Sequence, residues 1–525
     1  MAYRAIRADA IFAAMPSAVK RFWDAPPISA LRWLTLIALA PRLLAALFSP
    51  GYFAHDDHFL VIEAAASWAD GFDYNYWLPW NQGDDPTPSG HSFFYVGIHF
   101  LLFSLLKAIG VNDPRALMLV VRLLHAAWSL IVVRAGHRIA DRLAGPVVAW
   151  QAGLFLALFC FMPFLSVRNL VEMACIPLLM IGSLRLLDAA GDRAWHPALV
   201  AGLWIGLAMN VRFQTIFFAA GPGLAFLIMR RWGQALAYGA GVLLPLTVIQ
   251  GGIDLFLWGR PWAEITQYVL YNLNNTTTYG VLPWYNYLLL LAGLLIPPLS
   301  LAVLFGFFRR PKPLVLWLPV MLFVAIHSYF PNKQERFLLP IVPLLFVLGY
   351  ASWEQWRGAS GWWSARKGLW RGALAFVWSL NLVLLPFLST TYSKRSRVEA
   401  MRMLRDERPL GGLILDDREE DPAMPPLFYL GQWDMGVFPL GPGQDNLDLG
   451  EFLREKQLDG RDHHVLFIGQ EEIDERIARF EASYGPVQVI GRAEPGLIDR
   501  IVHWLNPVNR NEVIIIARIS DRNAL

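Results

Sequence analysis

Two short polar strings carry residue types that could do chemistry. The first is His55-Asp56-Asp57-His58-Phe59, with Glu63 six residues beyond Asp57; the second is Pro331-Asn332-Lys333-Gln334-Glu335-Arg336-Phe337. Both lie at the ends of long apolar segments, and charge at the edge of a membrane span is costly and usually kept for chemistry or transport. A carboxylate pair facing a Lys/Arg cluster suits a reaction that takes a proton from one substrate and receives an anionic leaving group from another. Asp56 or Asp57 fits the base, which must come within about 3 Å of the acceptor hydroxyl. Lys333, Arg336, Arg212 and Arg168 fit the cations, Arg binding phosphate in bidentate fashion and Lys as a point charge. Glu335 would orient a neighbouring cation. Arg42, inside the first apolar segment, could pair with a carboxylate.

Each piece also has a plainer reading. The acidic pair could be solvated, and His55 with His58 could be an incidental or metal-binding cluster. Lys333 and Arg336 could anchor lipid headgroups, and Arg168-Asn169 with Glu172 could form one helix-end ion pair. Arg212 is harder to dismiss, because an isolated intramembrane Arg is rare without a partner or water. Together the residues fit glycosyl transfer from a lipid phosphate. That reaction needs a base, cations for the departing phosphate and a site at the bilayer surface. A monophosphate leaving group carries less charge than a diphosphate, so side-chain cations suffice; no cofactor and no divalent metal are expected.

The elements that must position these residues are membrane spans. The 525 residues are 55% hydrophobic and 17% charged, with 22 Trp and 33 Phe, an integral-membrane composition up to about residue 390. A net charge of +3 without a long basic run argues against nucleic acid. Cys160 and Cys175 lie in apolar stretches and suggest neither zinc nor a disulfide framework. The basic segment 1–30 reads as cytoplasmic, leading into a retained anchor helix.

Apolar segments at 31–48, 93–110, 115–133, 145–163, 171–188, 198–211, 213–229, 235–257, 284–307, 313–330, 337–352 and 369–389 predict a mainly α, polytopic helical bundle over 31–390. Basic clusters set the sides and give about 11 crossings, within a range of about 10–13, with one of 93–110 and 115–133 short, tilted or re-entrant. The acidic loop 49–92 and the aromatic, Asn-rich loop 258–283, which contains Tyr279, fall on the outer side. The 57–70 stretch has helical apolar spacing. Residues 391–525 alternate short apolar runs, at 412–416, 465–468, 487–490 and 513–517, with helical segments at 396–407, 447–457, 471–484 and 497–505. That pattern predicts a small soluble α/β domain, also on the outer side. Asp416-Asp417 at a strand end reads as a solvated turn or a ligand site.

The strings together resemble the family 22 glycosyltransferases, the lipid-phosphate-mannose-dependent mannosyltransferases of GPI-anchor and N-glycan-precursor assembly, which have the GT-C membrane fold. Arg42-Leu43-Leu44, then Asp56-Asp57 and Ile62-Glu63, keep the spacing of that family's first span and loop. Arg168-Asn169 with Glu172, Met209 to Phe213, Asn272-Leu273 through Tyr279-Gly280 to Tyr285, and Asn332 to Phe337 with Pro340 and Pro343 resemble later family strings in the same order. The sequence departs from the pattern in having Asp57 for Glu, Asn332 for His and Gln334 for Glu.

The resemblance implies an inverting enzyme that moves mannose from a polyprenyl- or dolichyl-phosphate donor to a glycolipid or glycan acceptor. It places Asp56 as the base with Asp57 beside it. Arg212, Lys333, Arg336 and Arg168 would meet the donor phosphate, with Glu63, Glu172, Glu335, Arg42 and Tyr279 in support. The expected partners are the lipid-linked sugar, the acceptor and membrane lipids. The expected location is a bacterial inner membrane, or the endoplasmic reticulum in a eukaryote. The alternatives are transfer of another lipid-phosphate-linked sugar, or a multi-pass solute transporter, which accounts for Arg212 and the broken apolar segments.

Overall fold

A computed structural model describes residues 22–278, 280–418, 423–441, 461–507 and 510–519. Most of the basic N-terminal segment, Tyr279 and the helix expected at 447–457 lie outside these. The chain packs as two units. The first holds the described residues up to Leu47, with Trp77–Tyr95 and Val121–Thr390; the second holds Phe48–Tyr76, Val96–Val120 and the chain from Thr391 onward.

Six helices among the described residues are long and apolar enough to cross a membrane: Ala30–Phe48, Pro114–Ala144, Val171–Gly191, Trp232–Trp258, Glu335–Ala359 and Lys367–Ser389. Shorter apolar helices are Phe93–Ala108, Pro146–Leu158, His196–Val211 and Phe213–Ile228, and Leu299–Arg309 meets Leu314–Tyr329 at 117°. Phe93–Ala108 has 16 residues, about 24 Å at 1.5 Å per residue, against a hydrocarbon core of about 30 Å. The expected 284–307 segment is broken into Asn286–Leu294 and Leu299–Arg309 around Pro297-Pro298, where two residues in succession lack an N–H.

In the first unit, helices approach closely where a side chain is missing. A Cβ on Gly202 would lie 2.3 Å from the Tyr238 carbonyl oxygen, and one on Gly241 2.3 Å from that of Leu199. Small residues let membrane helices make such backbone contact. Breaks in helices are repaired by side chains, as they must be where water is scarce. The Pro146–Leu158 helix ends inside the unit. There Asn381 Nδ2 donates to the Leu158 carbonyl (2.9 Å) and its Oδ1 accepts the Cys160 N–H (2.7 Å).

Arg42 serves the same helix end. Its Nη1 and Nη2 donate to the carbonyls of Ala157 (2.9 Å) and Leu156 (3.1 Å), and its Nε to Ser129 Oγ (2.8 Å). The sequence reading gave Arg42 a carboxylate partner. The structure gives it the C-terminal carbonyls of a helix, which carry the negative end of the helix dipole.

The second unit contains a five-stranded sheet in the order β2-β1-β3-β5-β4. The strands are β1 (Leu410–Asp416), β2 (Gly436–Leu440), β3 (Asp462–Ile468), β4 (Val487–Ala493) and β5 (Ile514–Ile519). β1 runs parallel to β2 and β3, while β5 is antiparallel to β3 and β4. Ile414, Val465, Phe467 and Ala517 form its core with Phe480 and Tyr484 of the Ile473–Tyr484 helix. Strand β2 was not foreseen. It contains Pro439, which weakens a strand signal, and it lies at the sheet edge, where a missing N–H is tolerated.

Asp416 and Asp417 form neither a solvated turn nor an open ligand site. Arg476 Nε donates to Asp416 Oδ1 (2.7 Å), and Arg510 Nη1 lies 3.2 Å from Asp417 Oδ2.

Candidate functional site

Two of the expected cations, Arg212 and Arg336, converge on one carboxylate. Glu172 lies in the first turn of the Val171–Gly191 helix, where a negative charge is favoured, and is 0% exposed. Arg212 Nη2 is 2.9 Å from Glu172 Oε1, and Arg336 Nε is 3.8 Å from the same oxygen. Arg212 is an extended residue between the His196–Val211 and Phe213–Ile228 helices, which turns its side chain out of the helical path. Arg336 sits in the short 3-10 turn Glu335–Ile341.

A glutamine holds each guanidinium. Arg212 Nε donates to Gln214 Oε1 (3.1 Å) and Arg336 Nε to Gln334 Oε1 (2.9 Å). Both Arg residues lie over the Phe337 ring, at 5.4 and 6.0 Å, a cation–π arrangement. Gln334, one of the departures from the resembled pattern, thus orients Arg336 without neutralising it.

Lys333 is buried, donates from Nζ to the Phe330 carbonyl and lies 5.8 Å from the Tyr287 ring. Its N–H donates to the Gly280 carbonyl (3.2 Å), and the Leu282 N–H donates to that of Pro331 (3.1 Å). The 280–282 segment is therefore stitched to the 331–333 string by backbone bonds. Arg168 is buried, with its guanidinium 4.8 Å from the Phe164 ring centroid. Glu335 is exposed and has no ion pair among the described residues; Glu172 is the carboxylate that meets Arg212 and Arg336.

Sequence reasoning missed a buried polar network beside this cluster. Glu264 Oε2 accepts the N–H groups of Gly90 (2.5 Å) and His91 (3.2 Å) and the Ser89 hydroxyl (3.1 Å). Asp254 Oδ2 accepts the Glu264 N–H (3.2 Å), and Gln250 Nε2 donates to Asp254 Oδ1 (2.8 Å). Asn210 Oδ1 accepts the Gln250 N–H (3.1 Å). Burial pushes Glu264 up to about 7, opposed by the Gly90 N–H and reinforced by Asp254. The available signal was Asn210 two residues before Arg212, and acidic residues at the end of an apolar run. Tyr268, in the aromatic 258–283 segment, packs its ring 5.5 Å from that of Phe213.

In the second unit, the acidic string opens a helix at His55 that becomes a π-helix over Asp57–Glu63 and continues as Ala64–Ala69. π segments are rare and frequent at functional sites. Asp56 is half-buried at the start of this element and Asp57 is buried. Glu63 is 0% exposed; its Oε1 accepts the Phe428 N–H (2.9 Å) and lies 3.3 Å from His58 Nε2. Burial raises the Glu63 pKa, with the His58 and Phe428 contacts opposing. Among the described residues, no group of three or more His, Cys, Asp and Glu side chains could hold a metal ion.

Against known proteins, the sequence profile of the Alg9-like mannosyltransferase family matches residues 33–409. Mannosyltransferase APTG1 of Arabidopsis thaliana is 24% identical over 349 residues, covering 61% of this chain and 58% of the plant protein. GPI alpha-1,2-mannosyltransferase 3 of Danio rerio is 24% identical over 347 residues, covering 62% and 61%. The chain thus spans about three fifths of the length of these relatives. Among solved structures, ArnT from Cupriavidus metallidurans bound to undecaprenyl phosphate superposes with a TM-score of 0.55 at 12% identity, covering 94% of this chain and 98% of ArnT.

The protein is therefore an integral membrane protein of mainly helical, GT-C-type fold with a small C-terminal sheet domain. The chain belongs to the Alg9-like mannosyltransferase family.

Proposed function

We propose that the protein is a glycosyltransferase that moves mannose from a polyprenyl- or dolichyl-phosphate donor to a glycolipid or glycan acceptor by a single inverting displacement. The observation that carries this reading is the cation cluster. Arg212 and Arg336 supply two positive charges against the one negative charge of Glu172, and Lys333 lies in the same 331–337 string as Arg336. The surplus positive charge suits a lipid phosphate whose charge grows as the sugar leaves. The glutamines that hold each Nε preset the guanidinium planes, so little reorganisation is needed as charge develops.

In this reading Asp56 takes the proton of the acceptor hydroxyl, with Asp57 beside it in sequence. Arg212, Arg336 and Lys333 hold the departing phosphate, and Arg168 and Tyr279 support substrate binding. No metal or other cofactor takes part. The setting is a bacterial inner membrane with the chemistry on the periplasmic side, or the endoplasmic reticulum with the chemistry on the lumenal side.

The test is transfer of label from radiolabelled polyprenyl-phosphate mannose to endogenous glycolipid, in membranes carrying wild type or Asp56→Asn. Label moved by wild type and not by the variant supports both the donor and the base. Turnover by Asp56→Asn near wild type removes the base assignment. Transfer of another sugar and not mannose, in a panel of polyprenyl-phosphate sugars, replaces the donor.

A further inference from the structure

His58 and Glu63 are five residues apart. In an α-helix, at 3.6 residues per turn, that separation would put them about 140° apart around the axis. The π turn, with its i→i+5 bonds, brings them onto one face, and His58 Nε2 lies 3.3 Å from Glu63 Oε1. The pair is sealed in: the two side chains are 1% and 0% exposed.

What seals it comes from far along the chain, within the same unit. The Phe428 N–H donates to Glu63 Oε1 at 2.9 Å. The His58 imidazole is sandwiched between the rings of Tyr52 (4.3 Å, 14° between planes) and Tyr429 (5.6 Å, 13°). Tyr74 donates to the Phe59 carbonyl (2.7 Å), and the Phe428 ring packs on Phe103 (5.8 Å). Farther out, Trp433 Nε1 donates to Asp70 Oδ2 (2.8 Å), and Ser49 Oγ donates to the Thr391 carbonyl (2.7 Å).

We infer that the Phe428–Tyr429 segment is a positioning element for the reaction: acting through Glu63 and His58, it holds the π turn and so fixes the direction in which Asp56 and Asp57 are presented. Glu63 is a positioning residue and not a substrate contact. The lever is the helix register. Reverting the π turn to α removes one residue's step, about 100° of rotation, between Ala64–Ala69 and the carboxylates before it. A carboxylate turned that far no longer reaches a hydroxyl it must approach within hydrogen-bond distance. The inference rests on the reading of Asp56 as base, but the held register is testable without it.

The experiment compares wild type, Glu63→Ala, Glu63→Gln and Tyr429→Ala in the full-length protein. Two readouts are taken: kcat and donor KM for transfer from polyprenyl-phosphate mannose, and amide hydrogen exchange over residues 55–69, with 330–341 as the internal control. Glu63→Ala is expected to lower kcat by at least about 100-fold, since even a roughly 1 Å misplacement costs that much, with donor KM within about threefold. Exchange over 55–69 should rise while 330–341 stays as in wild type. Glu63→Gln keeps an acceptor for the Phe428 N–H and should recover most of kcat. Tyr429→Ala, which alters nothing in the loop itself, should give the Glu63→Ala signature in weaker form.

Unchanged exchange over 55–69 in Glu63→Ala overturns the inference, as does a loss expressed in donor KM alone. If wild type transfers no sugar while Glu63→Ala still raises exchange over 55–69, the proposed donor fails and the held register stands.

Discussion

Glu172 is the residue whose loss the geometry prices most directly. Its Oε1 lies 2.9 Å from Arg212 Nη2 and 3.8 Å from Arg336 Nε, and the side chain is fully buried. With an effective dielectric of 20, 332/(20 × 2.9) gives about 6 kcal/mol for the first contact and 332/(20 × 3.8) about 4 kcal/mol for the second. Desolvation of all three groups offsets most of this. What a substitution exposes is the cost of leaving two half-buried guanidiniums without their buried counter-charge, at the lower end of the about 3–5 kcal/mol seen when one partner of a fully buried pair is removed. Glu172→Gln keeps the volume and one acceptor, so about 3 kcal/mol is expected. The assay is equilibrium unfolding in detergent, followed by tryptophan fluorescence, for wild type, Glu172→Gln, Arg212→Gln and the double variant. The cycle should return a coupling of about 2 kcal/mol, because removing Arg212 removes much of the need for Glu172. A coupling within about 0.5 kcal/mol of zero would refute the claim that Glu172 organises the cluster.

Three other outcomes are expected. Glu264 is raised from 4.5 to about 7, so between those values the folded protein binds more protons than the unfolded chain. Stability should fall as pH rises through that window, and melting curves of Glu264→Gln should show a shallower slope. A Cβ on Gly349 would lie 2.3 Å from the Val303 carbonyl oxygen. Gly349→Ala should therefore push apart the Leu299–Arg309 and Glu335–Ala359 helices and cost about 1–3 kcal/mol, read as a lower midpoint in the same unfolding assay. Arg336→Ala should lower kcat for mannose transfer about 100-fold if the guanidinium is aimed at the leaving oxygen; a change in KM alone would make it a binding contact.

Which residues the fold would bring together was legible where the chemistry of a single position is unusual. An Arg between two apolar halves, a Lys and an Arg at a span edge and an acid opening a helix have few uses in a membrane protein, and Arg212, Arg336 and Glu172 do meet. Their partners were not legible. Gln214 and Gln334 look like ordinary interfacial polar residues until the backbone breaks aim them at the Arg Nε atoms. Arg42 shows the opposite failure: its burial was foreseeable, but nothing local to it reveals a helix ending at Leu158 with carbonyls to be satisfied.

The sequence by itself determined the membrane-protein composition, most helices, four of the five strands and the family. Those follow from hydropathy, periodicity and short strings, all properties of neighbouring residues. Tertiary structure alone decided which carboxylate serves the cations, that His58 and Glu63 share a face, and that the Phe428 amide closes on Glu63. A hydrogen bond between residues 365 positions apart leaves no periodic trace in either segment. It exists only because burial leaves each polar group no water to turn to, and so selects the one partner the fold has brought within reach.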